Sequence, residues 1–154
     1  MRVREEAALI GWREYVELPE WGLAGIKAKV DTGARSSAID VRHILELPGE
    51  RVRFEIAADR GSGTRLHTVE AAIVRRSRVR SSFGQAHDRL FVATTLGLAG
   101  RSLRVELGLV SRENMLCRML LGRQSLGHLF VVDPGRIYLH GRRKRARSTE
   151  RGEA

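Results

Sequence analysis

The chain has 154 residues, 42% of them hydrophobic, which suffices for one domain with a core and is short for two. A single cysteine, Cys117, excludes an internal disulfide. No apolar run is long enough for a membrane span, and the charged first eight residues do not resemble a signal segment, so the expectation is a cytoplasmic protein with no membrane partner. The formal net charge of +10 raises the question of nucleic acid. However, Arg142, Arg143, Lys144, Arg145 and Arg147 sit in a polar tail and aromatics reach only 5% without a stacking pattern, so nucleic acid is not expected as the main partner.

Residues 1–8 read as a flexible lead-in. Residues 9–18 read as a strand bent near Gly11, and Pro19-Glu20-Trp21-Gly22 as a turn. In residues 23–30, Ile26, Ala28 and Val30 alternate with Lys27 and Lys29, the mark of a half-buried strand. That strand delivers Asp31 to a tight reversal through Thr32 and Gly33, which places a carboxylate at the end of a rigid element. Residues 36–41 resume an extended path, and residues 43–47 read as a helical turn stopped by Pro48-Gly49.

Beyond that point the pattern is almost wholly β. Val52, Phe54 and Ile56 alternate with charged residues, residues 59–63 form a turn, and residues 66–74 return. Residues 75–80 continue as a polar strand broken at residues 81–86. Residues 89–96 and 103–109 are further strands, the second with Leu103, Val105, Leu107 and Leu109 in clean alternation. Residues 119–121 form an apolar run closed by Gly122, a short helix spans residues 124–129, and residues 130–132 form a last strand. Short strands between glycine turns indicate an all-β barrel or sandwich over residues 9–140, with residues 141–154 a disordered basic tail.

Five histidines (His43, His67, His87, His128 and His140) lie far apart in the sequence, and neither a His-Glu-x-x-His nor a phosphate-loop pattern is present. No metal site and no cofactor are expected. His87 beside Asp88 reads as exposed and polar, and Trp12 and Trp21 as core or interface residues.

Two motifs in the right order carry a resemblance. Val30-Asp31-Thr32-Gly33-Ala34 resembles the active-site turn of retroviral-type aspartic peptidases, the retropepsins. Leu120-Leu121-Gly122-Arg123, followed by a short helix, resembles their second signature. Together with Ile10-Gly11-Trp12-Arg13-Glu14, Ser81-Ser82 and Val132-Asp133-Pro134, these motifs are similar to a bacterial family of RimK/RimB-associated retropepsin-like proteins that also carries the label ATP-dependent zinc protease. The residues give no support to either the zinc or the ATP of that label. The ATP link suggests association with an ATP-grasp amino-acid ligase. Relatives usually read Asn-Gly-His after the two serines, where this chain has Phe83-Gly84-Gln85.

The resemblance implies a closed acid-protease barrel with one short C-terminal helix. Asp31 is the implied catalytic carboxylate, in a turn completed by Thr32, Gly33 and Ala34 and supported by Leu121, Gly122 and Arg123. An aspartic peptidase needs two carboxylates, and neither Asp40 nor Asp133 is followed by Thr/Ser-Gly, so a homodimer cutting a peptide or protein substrate is implied. Counting strands back from Gly122 makes Ser81, Ser82, Phe83, Gly84 and Gln85 the flap, and residues 51–74 an added hairpin. Two other readings stand beside this one. Asp31 could be an ordinary turn residue in a non-catalytic binding or scaffold module, and the basic chain could bind nucleic acid. Arg123 reads as structural, and Phe83 equally as a flap residue or a stray apolar turn residue.

Overall fold

A computed structural model of the chain describes residues 6–57, 65–80, 84–111 and 116–141. Its elements in order are β1 (Ala8–Gly11), β2 (Arg13–Leu18), β3 (Leu23–Val30), β4 (Ser37–Asp40), β5 (Arg42–Leu47), β6 (Arg51–Ala57), β7 (Leu66–Ala72), β8 (Arg75–Arg80), β9 (Ala86–Leu98), β10 (Arg101–Val110), β11 (Met119–Leu121), α1 (Arg123–Leu126) and β12 (Phe130–Asp133). The sheet order β10-β4-β11-β3-β2-β9, with β9 pairing back onto β10, closes a six-stranded barrel, and β8 extends it beyond β9. Closure leaves these six strands, paired in parallel at β10–β4 and β11–β3 and antiparallel elsewhere, without a free edge.

Period-two alternation fills the barrel. Val16 and Leu18 of β2, Ile26, Ala28 and Val30 of β3, Ile39 of β4, Val92 and Leu96 of β9, Leu107 of β10, and Met119 and Leu121 of β11 are all buried in one cluster. Each large aliphatic side chain contributes about 1.5–3 kcal/mol through burial. The outward residues of β10 are Ser102, Arg104 and Glu106. Strands β5, β6 and β7 form a separate antiparallel sheet, so the added segment after β4 is three-stranded. The exposed ion pairs of Arg76 on β8 with Glu46 and Glu50 tie it to the barrel.

Two boundaries differ from the sequence reading. Residues 43–47 are not a helical turn but belong to β5, which pairs with β6. His43 has a φ of 54° and the register shifts between Arg42 and Leu45, so Ile44 and Leu45 are both exposed and the period of two is lost. The helix begins at Arg123 and ends at Leu126, because Gly127 turns the chain with a φ of 53°. The expected 59–63 turn, the start of the N-terminal lead-in (1–5) and the basic tail (142–154) lie outside the described residues.

The bend near Gly11 separates two strands in different sheets: β1 pairs in parallel with β12, and β2 enters the barrel. A Cβ on Gly11 would lie 2.4 Å from the Arg136 carbonyl oxygen, so glycine is required for this close approach. Glu14, in phase with Val16 and Leu18 and therefore pointing inward, is 1% exposed. Its carboxylate accepts hydrogen bonds from the Gly11 amide (2.7 Å), the Leu139 amide (3.1 Å) and the His140 amide (3.5 Å). Glu14→Ala would strand these donors and is expected to cost about 3 kcal/mol in chemical denaturation. A change below about 0.5 kcal/mol, the range of ordinary surface substitutions, would remove this role.

Tyr138 stacks on Tyr15 with ring centroids 4.4 Å apart. Desolvation first, then the neighbouring Tyr15 and Cys117, raises its phenol above the ordinary value of 10.0. An acid held neutral in the folded chain stabilises fully below its unfolded value, and the stabilisation is lost as pH rises through the folded value. Tyr138→Phe is therefore expected to flatten the decline of Tm above about pH 10, measured by thermal melts across alkaline buffers.

Candidate active site

The site is built at the C-terminal end of β3. Val30 is held by its amide on the Trp12 carbonyl (2.8 Å), and the Asp31 amide donates to the Leu121 carbonyl (2.9 Å), so β11 fixes the point where the strand ends. The turn is then closed locally. Gly33 N–H donates to Asp31 Oδ1 at 3.0 Å, and Ala34 N–H to the Asp31 carbonyl at 3.1 Å. A Cβ on Gly33 would sit 3.2 Å from that same Oδ1. Asp31 is half-buried, while Thr32 and Gly33 are exposed, so the turn presents its carboxylate at an open surface.

The back of the turn is braced by a segment about ninety residues later. Arg123 N–H donates to the Ala34 carbonyl (2.8 Å) and Gln124 N–H to the Arg35 carbonyl (3.2 Å). The first amides of α1, which have no partner inside the helix, thus satisfy carbonyls of the turn. The Arg123 guanidinium donates to the Gly33 carbonyl at 3.1 Å and lies 3.5 Å from that of Thr32. Arg123 thus has a positioning role through backbone carbonyls. Gly122 is pressed against the turn so closely that a Cβ would lie 2.4 Å from the Ser36 oxygen and 2.8 Å from that of Ala34. Leu121 is buried in the barrel.

The sequence reading missed a hydroxyl pair. Ser37, 2% exposed, accepts the Gly122 amide at 3.0 Å, and its Oγ lies 2.5 Å from Ser125 Oγ on α1. The two serines are 88 residues apart, and no sequence spacing signals their contact.

Other carboxylates near these elements are already engaged. Asp40 is buried and pairs with Arg118 at 2.9 Å. Asp133 accepts the Gly135 amide at 2.8 Å and faces Arg136. Of the flap candidates, Gly84 and Gln85 are exposed between β8 and β9, with Gly84 at a φ of 80°, while Ser81, Ser82 and Phe83 lie outside the described residues. His87 is exposed and Asp88 lies 3.8 Å from Arg78. Trp12 lies half-buried under the Arg13 guanidinium, and Trp21 packs edge-on against core Phe54. Among the described residues, no three His, Cys, Asp or Glu side chains gather in a metal-binding group.

In this chain a strand ending in Asp-Thr-Gly is backed by an apolar-Gly-Arg segment and a short helix. Residues 9–143 match the family model RimB-like, described as retropepsin-like aspartic endopeptidase RimB. This chain belongs to the RimB-like family. A probable alpha-L-glutamate ligase of Shewanella pealeana is 35% identical over 136 residues, covering 86% of this chain and 30% of that protein. One of the same name from Desulfotalea psychrophila is 32% identical over 129 residues, covering 82% and 28%. The chain therefore spans under a third of the length of these relatives. A Legionella pneumophila protein described as of unknown function has the same fold. Its TM-score is 0.71 at 23% identity, covering 87% of this chain and 98% of that one.

Proposed function

We propose that this RimB-like chain is an aspartic peptidase whose catalytic dyad consists of Asp31 from each of two copies. The observation that carries this reading is the Asp31 turn, open in front and braced behind by Gly122 and Arg123. In the dimer one carboxylate is ionised and takes a proton from the attacking water. The other is protonated and donates to the scissile carbonyl oxygen. Two like charges in contact cannot both ionise, so activity follows a bell-shaped pH profile on the acid side of neutrality. The Thr32 hydroxyls interlock the two turns, Gly33 leaves room for the substrate backbone, and the β8–β9 tip with Ser81, Ser82, Phe83, Gly84 and Gln85 covers the cleft.

The relatives' names make glutamyl peptides the first substrates to assay, in cytoplasmic association with an ATP-grasp ligase. A net charge of +10 suits a polyanionic peptide through long-range attraction. Sedimentation at micromolar concentration is expected to show a dimer when a glutamyl peptide is present. A strictly monomeric chain, with and without peptide, would overturn the proposal. The ligase names also favour a second reading, in which the domain binds a glutamyl peptide for a ligase without cutting it. That reading predicts peptide binding with no cleavage by either wild type or Asp31→Asn.

A further inference from the structure

A second polar cleft, of about 360 Å³, lies behind the Asp turn, between the segment carrying Ser36, helix α1 and the outer face of β10. Arg75, Arg104, Glu106, Gln124 and Ser125 line it with Ser36. Arg104 and Glu106 stand two residues apart on the outward face of one strand, so their bases are separated by about 7 Å. Arg75 is held by stacking on Phe91, its guanidinium carbon 3.7 Å from the ring centroid.

The charges in this cleft are only loosely satisfied by one another. Arg75 Nε lies 3.8 Å from Glu106 Oε1, beyond a hydrogen bond, and both side chains are nearly half exposed. Arg104 gives one N–H to Glu20 at 2.6 Å, outside the cleft lining, and a guanidinium carries five. Two arginines and one glutamate thus line the same cleft, together with the hydroxyl residues Ser36 and Ser125 and the amide residue Gln124.

We propose that this cleft binds a small dicarboxylic α-amino acid. Its two carboxylates meet Arg75 and Arg104, its ammonium meets Glu106, and Ser36, Gln124 and Ser125 take the remaining hydrogen bonds. The chemistry matches sign for sign: two negative groups and one positive on the ligand face two positive groups and one negative on the protein. The site also adjoins the brace of the Asp turn, because Ser36, one of its lining residues, carries the carbonyl against which Gly122 is pressed. The inference does not depend on peptidase activity.

The test is a titration of the isotope-labelled full chain with L-glutamate, followed by amide chemical shifts. Saturable shifts at residues 36, 75, 104–106 and 124–125 are expected, with a millimolar Kd typical of a small polar ligand in an open cleft. Glutarate lacks the ammonium and n-butylamine lacks the carboxylates, so each is expected to bind at least about tenfold more weakly. Glu106→Gln should erase the advantage of glutamate over glutarate, Arg75→Gln should weaken glutamate about tenfold, and Asp31→Asn should bind like wild type. Equal binding of glutarate and glutamate by the wild-type chain, or shifts that never saturate, would overturn the proposal. So would a Glu106→Gln chain that still prefers glutamate. The wild-type comparison decides the matter even if a variant folds poorly.

Discussion

Asp31→Asn is expected to lower cleavage of a glutamyl peptide by about a thousandfold or more, the scale of losing a positioned acid–base group. The substitution keeps an oxygen that can accept the Gly33 amide, the bond that shapes the turn, so the fold and melting temperature should be nearly unchanged. Loss of turnover with retained stability assigns the effect to chemistry. Cleavage by the wild type is also expected to survive a metal chelator, since the reaction is assigned to carboxylates alone. Activity lost on chelation and restored by zinc would sink the aspartic mechanism. Full activity in Asp31→Asn would do the same.

Gly122→Ala is expected to have the largest effect on stability. The new methyl would overlap two backbone carbonyls, at 2.4 Å from Ser36 and 2.8 Å from Ala34, and backbone cannot move aside as a flexible side chain can. Overpacking of this kind costs about 3 kcal/mol or more, a fall in Tm of roughly 10 °C for a chain of this size. If the barrel survives, the strain falls on the Asp turn, and peptide cleavage should drop with it. An unchanged Tm and unchanged cleavage would mean that the turn is not braced from behind.

How much of this was legible follows from where each signal resides. The approach to Asp31 could be read because Ile26, Ala28 and Val30 alternate with two lysines over a single strand. The motif around Gly122 was visible, but the reason for its glycine, contact with a loop far away in the chain, is a tertiary fact. Strand β5 was misread because the left-handed backbone at His43 puts two apolar residues in succession on the outside. The inward carboxylate of Glu14 did have a signal, a charge in phase with Val16 and Leu18, and only the fold shows that backbone amides explain it. The contact of Ser37 with Ser125 had none.

The brace behind Asp31 also fixes the order in which the site can be completed. The Arg123 bond to the Gly33 carbonyl spans 90 residues, and the Glu14 bonds to Leu139 and His140 span 125 and 126. Contacts this distant form only after the entropy of closing a long loop has been overcome, so they belong to the late part of folding. A nascent chain therefore carries its Asp-Thr-Gly as an unbraced segment until the residues around Arg123 have emerged, and the local turn bonds of Asp31 gain their support from behind only then.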